Sequence, residues 1–129
     1  IMSYHFTKEL DIGFEEALEK VTAELKKEGF GILTEIDVKA TLKKKMDVDF
    51  RRYQILGACN PPFAYKAMTA EPNIGLMLPC NVVVQELDDG KIRVSAIDPM
   101  ASMMAVKNES LGSIAIEVRD KMKKVIDCL

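Results

Sequence analysis

The chain has 129 residues, 48% hydrophobic and 29% charged, which is enough for one ordinary domain to build a core without metal or disulfide staples. Its 18 basic and 20 acidic residues leave a net charge of -2, which sets up no positive field to hold a polyanion and excludes nucleic acid as an expected partner. No apolar run approaches the ~20 residues that cross a bilayer and no charged-then-apolar leader is visible, so neither a membrane partner nor secretion is expected.

Ile1 precedes Met2 and reads as a leftover ahead of the native start, so a single domain is taken over 2–129. Tyr4, Phe6 and Leu10 alternate with His5, Thr7 and Glu9, the pattern of a half-buried strand. Asp11 is placed to cap a helix whose face carries Phe14, Leu18, Val21 and Leu25, and Gly29 stops it. A second strand is predicted from about Phe30 to Ile36. Asp37 then caps a short helix over Val38 to Met46, with Val38, Leu42 and Met46 at four-residue steps. The basic runs Lys43-Lys44-Lys45 and Arg51-Arg52 are flanked by Asp47 and Asp49 and read as solvated surface.

Tyr53 to Cys59 is a third predicted strand, ended by Pro61-Pro62, and Pro62 suits the first turn of a short helix from Phe63 to Ala70. Val82 to Leu87 and Lys91 to Ile97 form a hairpin across Asp88-Asp89-Gly90, with a loop of two or three residues. Either register sets Cys80 opposite Asp98 or Pro99. A long final helix carries Leu111, Ile114, Ala115, Val118, Met122, Val125, Ile126 and Leu129 on one stripe, with Asn108 or Ser110 to cap it. The elements make an α+β domain, an antiparallel sheet packed by two main helices, with short helical inserts around the third strand.

Chemistry concentrates on two of the three cysteines: Cys59 in Gly57-Ala58-Cys59-Asn60-Pro61, and Cys80 in Leu78-Pro79-Cys80-Asn81-Val82. Each is followed by Asn where a predicted strand meets an irregular stretch. Three cysteines without framework spacing fit reduced thiols in a cytoplasm. Cys128 lies off the apolar stripe, is expected at the surface and has no assigned role.

On those two segments, on Asp98-Pro99 and on Gly29-Phe30, the chain resembles domain-of-unknown-function family 302, from Tyr4 nearly to its end. The resemblance implies a fold similar to the TATA-box-binding-protein type, β-α-β(4)-α, and a homodimer. It implies no activity, cofactor or catalytic residue, and its fold label brings no DNA binding with it.

The leading functional reading is a cleft formed by Cys59, Asn60, Pro61, Cys80, Asn81 and Asp98 that binds a small molecule or a soft metal ion. Apolar walls come from Phe63, Tyr65 and Leu78, the mixture that ligand clefts use. Metal candidates are Cys59, Cys80 and Met100, with Met77, Met103 and Met104 as further thioethers, because soft ligands select ions such as Cu(I). Inert core packing of the thiols is the competing reading. One alternative is a thiol-dependent enzyme using Cys59 or Cys80, with His5, the one histidine, as base if the fold brings them together. Another is a structural homodimer formed through a sheet edge or the Met100–Met104 segment. No G-x-S-x-G, H-E-x-x-H, P-loop or dinucleotide fingerprint is present.

Overall fold

The predicted elements resolve into one layer of strands and one of helices. The computed structural model of the chain describes residues 3–129, so the reading of Ile1 and Met2 lies outside the described residues. Strands β1 (His5–Leu10), β2 (Gly31–Asp37), β3 (Tyr53–Cys59), β4 (Cys80–Glu86) and β5 (Ile92–Ile97) form one antiparallel sheet in the order β1-β5-β4-β3-β2. Two long helices, α1 (Phe14–Lys27) and α5 (Ser110–Asp127), cover one face of it. Short helices α2 (Val38–Met46) and α3 (Pro61–Ala70) flank β3, a 3-10 turn spans Pro72–Met77, and a four-residue α4 (Pro99–Ser102) precedes α5.

Alternation decides what the sheet buries. Val82 and Val84 of β4 and Ile92, Val94 and Ala96 of β5 have no solvent exposure and meet Val21 and Leu25 of α1 and Met122 of α5. On β1, Lys8 shares the covered face with Phe6 and Leu10. Its stem follows that face while its Nζ donates to the carbonyls of Asp127 at 3.0 Å and Leu129 at 2.8 Å, a cation at the carbonyl end of α5.

The boundaries follow local chemistry. Helix α1 ends as a glycine requires, with Gly29 at φ +85°, and the amide of Phe30 donates to the Leu25 carbonyl at 2.9 Å. Its start corrects the sequence reading: Gly13, not Asp11, is the N-cap, no side chain caps it, and the acidic first-turn residues are Glu15 and Glu16. Asp37 does cap α2, accepting from the Ala40 amide at 2.9 Å, but no residue of α2 is buried and Met46 stays 65% exposed. That helix spans the connection between β2 and β3 and touches both strands lightly, so its apolar positions have little to pack on. The β4–β5 hairpin pairs Glu86 with Ile92 and closes Leu87 on Lys91 through a 2.8 Å hydrogen bond, leaving a three-residue loop with Gly90 at φ +85°.

Candidate functional site

Where β3 ends and β4 begins, Ala58 and Cys80 are cross-strand partners on the helix-covered face. From there the chain leaves the sheet twice. After Cys59 it runs into α3 and the 3-10 turn, and after Ile97 it runs through α4 into α5. Ala67, Ile74 and Leu111 of these excursions form a small hydrophobic cluster of their own. Leu78 packs against both this cluster and the main core. Between the two lies a cavity of about 40 Å³.

The cavity is apolar because the surrounding side chains are small or aliphatic. Ala64 and Ala67 of α3 and Ala115 of α5 line it, with Leu78 and Pro79 on the strand side and Phe30, Phe63, Met103, Ile114 and Val118 around them. Cys59, Asn60 and Cys80 also line it. Its volume is room for about three water-sized groups. Cys80 is 6% exposed, and burial first, then the neighbouring Cys59 sulfur, pushes its thiol up to about 11. At neutral pH that sulfur is therefore a protonated, weakly polar wall. Both thiols are free.

Asn60 has a second task. It is the N-cap residue of α3 but does not cap it; its Nδ2 crosses to donate to the Glu28 carbonyl at 3.2 Å, tying the end of β3 to the end of α1. An added Cβ on Gly29 would lie 3.1 Å from that nitrogen, so the glycine serves this close approach as well as its own positive φ.

The remaining predicted residues stand elsewhere. Pro61 opens α3 at the surface, outside the cavity wall. Asn81 follows Cys80 on a strand and so points the other way, exposed on the bare face of the sheet. Asp98 is buried but does not reach the cavity. Its Oδ1 accepts from the Met100 amide at 2.9 Å to cap α4, and its Oδ2 pairs with Arg119 Nε at 3.3 Å. The expected gathering of residues 59, 80 and 98 around one hollow is corrected to 59, 60 and 80. Met100 is half-buried and off the cavity, with Met103 in its place, and Tyr65 is 72% exposed.

The Cys–His pairing does not form either. His5 stands on the bare face, where its Nδ1 meets Thr7 Oγ1 and Thr7 Oγ1 lies 2.9 Å from Ser95 Oγ, while Cys80 is on the covered face. Among the described residues no three His, Cys, Asp or Glu groups cluster as a metal site, and no helix is long and apolar enough to cross a membrane. What sequence reasoning missed is the alanine lining. Its signal is present: Ala64 and Ala67, one helical turn apart, and Ala115 are small residues where large ones would close the gap.

The family model described as "Domain of unknown function DUF302" matches residues 6–129 of this chain. A crystal structure of an uncharacterised conserved DUF302 protein from Bacillus stearothermophilus is similar to it with a TM-score of 0.90 at 28% identity, covering 98% of each chain. No curated protein matches the chain.

Proposed function

Because the chain belongs to the DUF302 family, a domain of unknown function, its role has to be argued from its own cavity, and we propose that it binds a small, largely apolar ligand at the seam between its two hydrophobic clusters. The observation that carries this reading is an apolar cavity of about 40 Å³ walled by Cys59, Asn60 and Cys80 together with alanines. The hollow is half open to solvent, and its apolar wall atoms lack packing partners that an apolar guest would supply.

The buried thiol of Cys80 favours binding over catalysis at that sulfur. A nucleophilic cysteine needs a depressed pKa, supplied by a cation, an imidazole or a helix N-terminus, and Cys80 is shifted the other way. No charged side chain lines the cavity. A soft ion such as Cu(I) would have to strip the Cys80 proton against the same burial, so a neutral ligand is the better fit than a metal. Free thiols are in keeping with a reducing cytoplasm.

The test is methyl-resolved NMR of the labelled protein under xenon. Dose-dependent shifts confined to Leu78, Ile114, Ala115 and Val118 are the expected result; an unresponsive set of cavity methyls would remove the reading.

A homodimer is the second reading, favoured by the uncovered face of the sheet. There Tyr53, Val83 and Ile97 line a groove of about 320 Å³, and Ile36 is 47% exposed nearby. Sedimentation velocity on wild type and Val83→Lys checks it: a dimer that dissociates in the variant supports it, and a monomer at ~100 µM or above contradicts it.

A further inference from the structure

Outside the seam cavity, on the bare-face side, lies an open groove of about 260 Å³ bounded by Leu76, Met77, Asn81, Ile97 and Ser102. The two spaces share two wall residues, Leu78 and Pro79. Leu78 is half-buried, packs against both hydrophobic clusters and stands in the wall that the two spaces share. The groove has no charged lining; its polar side chains are the exposed carboxamide of Asn81 and the hydroxyl of Ser102, which donates to the Pro99 carbonyl at 3.1 Å and keeps its oxygen free to accept.

We propose that this groove is the mouth of the seam cavity, with Leu78 as its gate, and that the ligand is a short apolar chain ending in an uncharged hydrogen-bonding group. The proposal rests on the seam-ligand reading and adds a route and a chemical class to it. Room for about three water-sized groups fits a tail of about three or four carbons. The head stays at Asn81 and Ser102. With no cation in either wall, a carboxylate head would lose its hydration and gain no partner, so an alcohol or amide is selected over an acid.

The probes are straight-chain 1-alkanols from ethanol to 1-hexanol and the matching alkanoates, titrated into labelled protein by NMR. 1-Butanol is expected to shift the amides of Ala58, Cys80 and Ala115 inside together with Asn81 and Ser102 outside. Affinity should rise about fourfold per methylene and level off near four carbons, with butanoate about tenfold weaker than butanol or worse. Leu78→Ala should carry the plateau to longer chains and speed exchange, with Val84 and Val94 shifts reporting an intact sheet. Should that variant misfold, the chain-length plateau and the acid–alcohol contrast on wild type still decide. Cavity shifts without Asn81 and Ser102, equal binding of butanoate, or a plateau untouched in a folded Leu78→Ala would overturn the gate and head while the seam reading stands. Silence of the cavity residues toward both butanol and xenon would remove both.

Discussion

The two hydrophobic clusters are held in different ways. The main one joins buried side chains from α1, α5 and all five strands or their ends, and its strands are locked by antiparallel pairing that breaks register once, between Ile32 and Thr34 of β2. The smaller one rests on Ala67, Ile74 and Leu111, drawn from two helices and a 3-10 turn that make no ladder with the sheet. Asn108 is its polar clamp, donating to the Ala70 carbonyl at 2.9 Å and the Glu71 carboxylate at 3.2 Å. The difference teaches where rigidity and opening reside. On this contrast the sheet and long helices are expected to carry global stability and the α3 side to open at lower free energy.

The sharpest way to break this comparison is to delete equivalent side chains on each side. Ile92→Ala in the main core should cost about 2–5 kcal/mol by urea unfolding. Ile74→Ala, buried just as fully, should instead speed amide exchange across residues 61–77 while β4 and β5 stay protected. Equal global losses and uniform exchange would make the two clusters one unit.

A pH experiment reads the Cys80 wall. Its thiol is raised in the fold from 9.0 to about 11, so the unfolded chain releases its proton first. Stability from this group is therefore complete below pH 9 and is lost as pH climbs through 11, by about 2–3 kcal/mol in all. Relative to Cys80→Ala, wild type should lose ground between pH 8 and pH 10.5 in urea midpoints; parallel curves would show a solvated thiol.

A smaller effect tests the boundary strand. A Cβ on Gly57 would collide with Thr34 Oγ1 and fall 2.8 Å from Pro79 Cγ, so Gly57→Ala should cost about 1–3 kcal/mol and displace the Pro79 segment. A neutral Gly57→Ala would show that segment to be loosely held. Smallest, Asp98→Ala should remove about 1 kcal/mol through the lost α4 cap and leave xenon binding intact, because Asp98 stands off the cavity. Loss of xenon binding there would return Asp98 to the site.

Most of the fold was legible because periodicity is local. The bounds of β3, Tyr53–Cys59, and the Asp37-capped helix follow directly from residue pattern, and the β-α-β(4)-α order with its inserts agrees with the structure. The α1 cap was not, because a helix N-terminus can go without a side-chain partner. That Cys59, Asn60 and Cys80 share one hollow was legible since antiparallel pairing returns the start of β4 to the end of β3. Asn81 was misplaced although strand alternation already sets it opposite Cys80. Asp98 was misplaced for a non-local reason: its partner Arg119 sits 21 residues on, in the long helix. The alanine-lined gap was unread because a void is the absence of side chains, visible once elements face each other.

The most direct measurement is the xenon response of Ala115→Val beside wild type. Adding two carbons to this cavity wall should abolish the shifts of Leu78 and Val118 methyls while leaving the protein as stable or more so. Undiminished xenon shifts at those methyls, or a variant destabilised as an already filled core would be, contradicts a guest site at the seam.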